Sequence, residues 1–258
     1  MPKKLICLKL GGSLITDKSV PFSFHEDVVR KVGLTIHDLI LKYPDYGWIL
    51  GNGAGSFGHY VAHQTDYQNH KSDSVIAAKV HDSVAKLNQK VVAKLCSAML
   101  PAVSLQPSQF LTRKASSLHG RVERVKQMLV DNKIPVVYGD VIPDTNTGSS
   151  IATTEEILDF VSSSLDEYNS VFTIYLTIVD GVYDQNGKVI PQLKEDELGE
   201  HISGSAGFDV TGGMAQKVKL GFEALQHCER VLIINGNAPD KIEDILNGES
   251  VGTELVKI

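Results

Sequence analysis

The 258-residue sequence predicts an α/β fold with a largely parallel sheet covered by helices on both faces, and three observations predict it. Short apolar runs bounded by glycine or turn residues recur along the chain. Longer segments with apolar residues at helical spacings lie between them. Glycines collect just after the apolar runs, at the carboxyl ends of strands, where sheets of this kind bind ligands.

In chain order, LICLKL (5–10) is the first strand and ends at Gly11 and Gly12. Segment 26–42 carries Val28, Val29, Val32, Leu34, Ile36, Leu39 and Ile40 and reads as a helix. GWIL (47–50) is the second strand and runs into GNGAGSFGHY (51–60). A long helix is expected over 74–99, from Val75, Ile76, Val80, Val84, Leu87, Val91 and Leu95. PAVSLQ (101–106) and IPVVYGD (134–140) supply the third and fourth strands, the latter followed by Gly139 near its end. VFTIYLTIVD (171–180) is the fifth, leading to Gly181, and RVLIING (230–236) the sixth, closing on Gly236. DVTGGMAQK (209–217) opens a helix, and ESVGTELVKI ends the chain as a turn and a short strand. No repeat or low-complexity linker divides the chain; the turn-rich PDTNTGSS (143–150) marks a seam between two lobes of one sheet.

With 42% hydrophobic and 22% charged residues the composition is that of a soluble globular protein. The formal net charge of −6 offers no basic field to gather nucleic acid or an anionic membrane, so an anionic ligand must be held by local cations. The N-terminal apolar run is broken by Lys9 and is too short for a signal peptide or a span, so the expected location is the cytoplasm. Cys7, Cys96 and Cys228 are far apart and form no C-x-x-C pair, which suggests neither a disulfide framework nor a zinc site.

Gly53, Gly55 and Gly58 make a G-x-G-x-x-G, but a dinucleotide fold needs an acidic strand end about 20 residues later, and that distance falls inside the long helix. No G-x-x-x-x-G-K-[ST] occurs either. The remaining phosphate-binding arrangement is glycine turns combined with lysines. Lys9, one residue inside its strand, points out of the strand end towards an anion or is simply a salt-bridged strand-end lysine. Lys18 lies in a loop, where a surface position is the simpler reading. Lys217 is placed in the first turn of its helix, near an N-terminus that favours anions, and Lys219 is read as solvated.

Taken in order, KLGGSLITDK (9–18), GAGSFGH (53–59), PAVSLQPSQF (101–110), IPVVYGDV (134–141), VDGVY (179–183) and DVTGGMAQKV (209–218) resemble the amino acid kinase superfamily, most closely its isopentenyl phosphate kinase branch. The loop ending in SFGH is shared with the similar fosfomycin kinases. The resemblance implies a single domain over 1–258, a three-layer α/β/α sandwich with a phosphate-acceptor lobe at about 1–145 and a nucleotide-binding lobe at about 146–258. It implies that Lys9, Lys18 and Lys217 surround the transferred phosphoryl group. Gly11, Gly12, Gly53, Ala54, Gly55 and Gly139 then belong to the acceptor site, with His59 on the acceptor's own phosphate. Asp180, Gly181, Tyr183 and Gly213, with Lys9 and Lys217, belong to the ATP site. Two stretches depart from the family pattern. ATTEE stands where an S-G-D is common, leaving Glu155 as the stand-in for the acidic residue that organises the lysines, and TIVDGVY has Ile178 in place of a carboxylate.

These residue types suit phosphoryl transfer, which needs positioning and charge neutralisation more than covalent help. A phosphate monoester has its second pKa near 6, so as an acceptor it arrives largely ionised and requires no general base. His59 can donate a hydrogen bond to a nonreacting oxygen; it also reads as a structural histidine capping its loop. A metal site on His59, His63, Asp66 and His70 lacks the Glu of H-E-x-x-H, so no side-chain metal is expected, and magnesium is expected on the phosphates of ATP. The leading reading is an ATP-dependent kinase acting on isopentenyl phosphate, in isoprenoid biosynthesis, and a homodimer like many relatives. Val75, Ile76, Ala77, Val80 and Val84 then read as walls for an apolar tail or as core. A fosfomycin-type phosphonate kinase and a noncatalytic nucleotide sensor on the same fold are the alternatives.

Overall fold

The computed structural model describes residues 4–197 and 212–257. The chain runs β1 (Lys4–Leu10), α1 (Gly12–Ile15), α2 (Glu26–Lys42), β2 (Tyr46–Asn52), α3 (Gly55–Gln64), α4 (Ser74–Ser97), β3 (Ala102–Ser104), β4 (Leu111–Lys114), β5 (Ser117–Gly120) and α5 (Glu123–Val130). It continues through β6 (Ile134–Tyr138), β7 (Asp140–Asp144), β8 (Gly148–Ala152), α6 (Thr154–Ser163), β9 (Ser170–Thr177), β10 (Gln192–Lys194), α7 (Gly212–Ala224), β11 (Arg230–Asn235), α8 (Lys241–Leu246) and β12 (Thr253–Val256).

The main sheet has the order β10-β12-β11-β9-β1-β2-β6-β3, and every neighbouring pair is parallel except β11 with β12. Alternation along β1 sorts its side chains between two cores. Leu5 and Cys7 join the cluster that includes Val125 of α5, Ile157 and Val161 of α6, and Phe222 of α7. Ile6, Leu8 and Leu10 join the opposite cluster with Val32 and Ile36 of α2, Leu87 and Val91 of α4, and Ile242 of α8. The result is three layers, α/β/α. The same parity puts Lys9 on the Cys7 side, under α6.

Local chemistry starts these helices where the sequence allows it. The Asp73 side chain caps α4 by accepting from the Val75 and Ile76 amides. Thr153 and Glu156 form a reciprocal capping box at the start of α6. Glu26 and Asp27 place negative charge in the first turn of α2.

The structure differs from the sequence expectation in four places. IPVVYGD is not one strand: the chain leaves the main sheet after Tyr138, turns at Gly139 and enters β7 of a second sheet, ordered β5-β4-β7-β8. The turn-rich stretch 143–150 is the tip of the β7–β8 hairpin, paired from Asp140↔Ala152 to Asp144↔Gly148. The long helix ends at Ser97, and Lys217 is the sixth residue of α7, in its second turn, because Gly212 and Gly213 are themselves helical. Residues 209–211 of that motif lie outside the described residues. Cys7 and Cys228 are buried and Cys96 is exposed.

Candidate active site

β1 and β2 are adjacent and parallel, with Leu10 opposite Asn52, so the loops that follow them meet. They meet at backbone contact. A Cβ on Gly12 would come within 2.7 Å of the Gly55 nitrogen, and one on Gly53 within 2.7 Å of the Gly12 nitrogen. Gly55 also has φ +50°, and a Cβ there would lie 2.5 Å from Thr16 Oγ1. Thr16 clips the loops together: its hydroxyl donates to Gly12 O at 2.7 Å and accepts from the Ser56 amide at 2.9 Å. Glycine is required here by packing.

A cleft of about 1340 Å³ is lined by Lys9, Lys18, His59 and Lys217. Gly11, Gly12, Gly53, Ala54 and Gly55, after β1 and β2, also line it, as do Gly139 after β6 and Gly213 at the start of α7. Three sequence candidates stand apart. Asp180, Gly181 and Tyr183 follow β9 outside the cleft lining, which at that end is Thr177, Ile178 and Val179. The Asp180 carboxylate accepts from Asn235 Nδ2 at 2.8 Å and from the Tyr183 hydroxyl at 3.2 Å, and a Cβ on Gly181 would lie 2.6 Å from Thr253 Oγ1. Ile178 is 54% exposed at the lip. Lys219 is exposed.

Glu155, in the first turn of α6, is buried and ion-paired with Lys9. Burial works against its charge, but Lys9 and then Lys217 hold its carboxyl below the usual carboxylate range. The cations are less well compensated. Burial, the charge of Lys9 and that of Lys18 lower Lys217 to about 8, with Glu155 opposing. Lys18 is lowered by burial and by Lys9, and His59 by burial, Lys18 and Lys9. Three lysines thus share one paired carboxylate in a partly dry cleft, and an anion entering it relieves a repulsion already present.

One wall is apolar. Val80 and Val84 of α4 line the cleft with Ala62, Val141 and Ile151, whereas Val75 is 62% exposed and Ile76 and Ala77 pack in the small Tyr67–Val80–Val141 cluster. The long helix therefore serves both readings, its second and third turns facing the cleft. Sequence reasoning missed Asp140 and Arg113, which also line it. Asp140 is buried and accepts from His81 Nδ1 at 2.7 Å, the Val141 amide at 2.8 Å and the Ser108 amide at 3.1 Å. The Asp of YGD was a visible signal for Asp140; nothing local marks Arg113.

Comparison with known proteins agrees with this fold. The sequence pattern of the amino acid kinase family matches residues 4–235. An isopentenyl phosphate kinase of Methanocaldococcus jannaschii is 32% identical, over 97% of this chain and 98% of that protein. One from Methanothermobacter thermautotrophicus is also 32% identical, with the same two coverages. A solved isopentenyl phosphate kinase superposes with a TM-score of 0.81 at 26% identity, over 98% of this chain and 100% of that one.

Proposed function

The chain belongs to the amino acid kinase family, and from that premise we propose that it is an ATP-dependent phosphotransferase converting isopentenyl phosphate to isopentenyl diphosphate. The observation that carries this reading is the cluster of Lys9, Lys18 and Lys217 around two interlocked glycine loops, with Glu155 as the paired carboxylate. Such a site is short of negative charge, and a triphosphate with a monophosphate supplies it.

Position in the cleft supports a role for each residue. Lys9, Lys18 and Lys217 neutralise charge on the transferred group and the oxygens at either end of it. The Gly11 and Gly53 amides are bonded to Leu176 O and Leu10 O, so within these loops it is Gly12, Ala54 and Gly55 that offer backbone amides to phosphate oxygens. His59, on the α3 face of the cleft, donates to a nonreacting oxygen of the acceptor and fixes its line of attack. The acceptor needs no base, because its oxygen is already ionised, and Glu155 acts by holding Lys9 in place. Ala62 and Ile151, backed by the buried Val80, Val84 and Val141, offer an apolar patch of the kind a prenyl tail requires and a small polar phosphonate does not.

The nucleotide is assigned to the Thr177–Val179 and Gly213–Lys217 side, the acceptor to the α3–α4 side, which keeps the two-lobe division as two sides of one cleft. Asp180, Gly181 and Tyr183 then shape the lip of the nucleotide side. Magnesium is assigned to the ATP phosphates. Glu155 is committed to Lys9 and both Asp140 oxygens accept hydrogen bonds, so the donor set suits a metal held by phosphate oxygens. Bound there, it would neutralise part of the polyphosphate charge. A cytoplasmic homodimer is the assembly expected, and light scattering checks the dimer; among the described residues no helix is long and apolar enough to cross a membrane.

The test is ADP release with isopentenyl phosphate, fosfomycin and glutamate side by side. Turnover with isopentenyl phosphate well above the other two is expected. Preference for fosfomycin would move the assignment to a phosphonate kinase, and ATP binding without turnover on any acceptor would make the protein a sensor.

A further inference from the structure

We propose that Arg113 is a positioning residue for phosphoryl transfer: through Glu156 it locks the first turn of α6, and that turn holds Glu155 against Lys9. The proposal rests on the kinase reading above.

Four consecutive residues at the start of α6 each engage a different partner. Thr153 closes the capping box, its amide donating to Glu156 Oε2 at 2.7 Å while its hydroxyl accepts from the Glu156 amide at 3.2 Å. The Thr154 hydroxyl donates to Asn52 O at 2.8 Å, at the end of β2 beside the Gly53 loop. Glu155 pairs with Lys9 at the end of β1. Glu156 Oε1 accepts from Arg113 Nη2 at 3.0 Å. Glu156 therefore has one oxygen on its own cap and the other on the second sheet, and any rotation of the turn that carries Glu155 must break one of the two.

Arg113 is itself fixed. Its Nε donates to Ser150 Oγ at 3.0 Å, Nη1 to Ser116 O at 3.1 Å and Nη2 also to Ile151 O at 3.2 Å. Its side chain is 14% exposed. A planar fork with donors in several directions meets all these acceptors at once, which an ammonium cannot do. An exposed pair of this kind would contribute little, but this one is mostly buried, lies along the cleft wall and is braced on both sides. The simpler account is a staple between β4 and α6 that matters for stability alone. The two accounts differ in kinetics, because displacing a catalytic group by about 1 Å costs up to about a hundredfold in rate.

Arg113→Lys removes the fork, and Glu156→Gln removes the ion pair while keeping a residue that closes a capping box. Steady-state kinetics with ATP and isopentenyl phosphate are expected to show kcat lowered about tenfold or more in both variants, with both KM values within about twofold. Arg113→Lys combined with Glu155→Gln should be no slower than Glu155→Gln alone, since Arg113 acts through Glu155. In the free protein, NMR titration of 13C-labelled lysines should move Lys217 to lower pH in both variants, because Glu155 is the neighbour that raises it. Wild-type kcat in folded variants, an additive double mutant, or a loss confined to acceptor KM would overturn the proposal. If wild-type protein turns over none of the acceptors, the kinase reading fails, and an unmoved Lys217 titration in Glu156→Gln then overturns the positioning role independently.

Discussion

His59 is the fifth residue of α3, one turn on from Gly55, and its proposed partner is the acceptor phosphate rather than ATP. Gln in its place keeps a donor of similar reach, whereas Ala leaves the acceptor oxygen to water, a loss of about 1.5–3 kcal/mol for a hydrogen bond to a charged group. His59→Gln should retain partial activity and His59→Ala should lose about ten- to a hundredfold or more in acceptor kcat/KM, with ATP affinity unchanged. Loss of ATP binding in His59→Ala would put the histidine on the other side of the cleft. Lys9→Ala and Lys217→Ala should each lose most turnover while staying folded, and near wild-type kcat would remove that lysine from the mechanism. Glu155→Gln should slow both lysines' work without changing acceptor affinity; unchanged rates would assign the organising role elsewhere. Because Lys217 is lowered to about 8, it is about half protonated near pH 8 in the free protein and fully charged beside a polyphosphate. ATP binding at pH 8 should therefore take up protons, seen as a buffer-dependent enthalpy in calorimetry; an enthalpy independent of buffer would contradict it.

At the scale of elements, α4 is tied to the turn between the two sheets by His81 and Asp140. The hydrogen bond to Asp140, against the cost of burial, raises the His81 pKa above its ordinary 6.5. A raised value means the folded protein binds the proton more tightly than the unfolded chain, so the pair's contribution is full below about pH 6.5 and is lost as pH rises through the folded value. His81→Gln should flatten the dependence of Tm on pH across that window; an unchanged profile would show that the pair does not anchor α4. The YGD run marks Asp140, but its pairing with His81 is inaccessible to local reading because the two are 59 positions apart. Arg113 and Glu156 are likewise 43 apart. Helices α2 and α4 and strands β1, β2, β6, β9 and β11 were legible because each is long enough to carry its own period or apolar run, whereas the short α5, α8 and β10 went unread. Nor was the second sheet legible, since LTRK and SLHG have no sustained pattern and β4 meets β7 at the single pair Arg113↔Asp144.

For the whole molecule, a net charge of −6 surrounds a cleft in which Lys9, Lys18 and Lys217 crowd about Glu155, and that contrast links ligand binding to stability. The folded pKa of Lys217 lies below its ordinary 10.5, so the folded state binds fewer protons than the unfolded one between about pH 8 and 10.5. Its charge therefore costs stability below about pH 8, and the cost fades as pH rises through that window. ATP should raise Tm more at pH 7, where it neutralises this charge, than at pH 9.5, where less charge remains to neutralise; equal shifts would separate Lys217 from the nucleotide. Glu155 entered only through the family resemblance, as the acidic stand-in; from its own residues the sequence determined the α/β class, the glycine loops at the strand ends and the lysines beside them. These are properties of short stretches, set by backbone period, burial and the need for glycine where backbones touch. Only the tertiary structure decided that Lys9 faces α6, that Glu155 meets it there, and that Arg113 braces the same turn from a second sheet. Those pairings depend on strand parity, parallel register and crossovers joining residues far apart in the chain, and no local spacing encodes which distant carboxylate a given cation will meet.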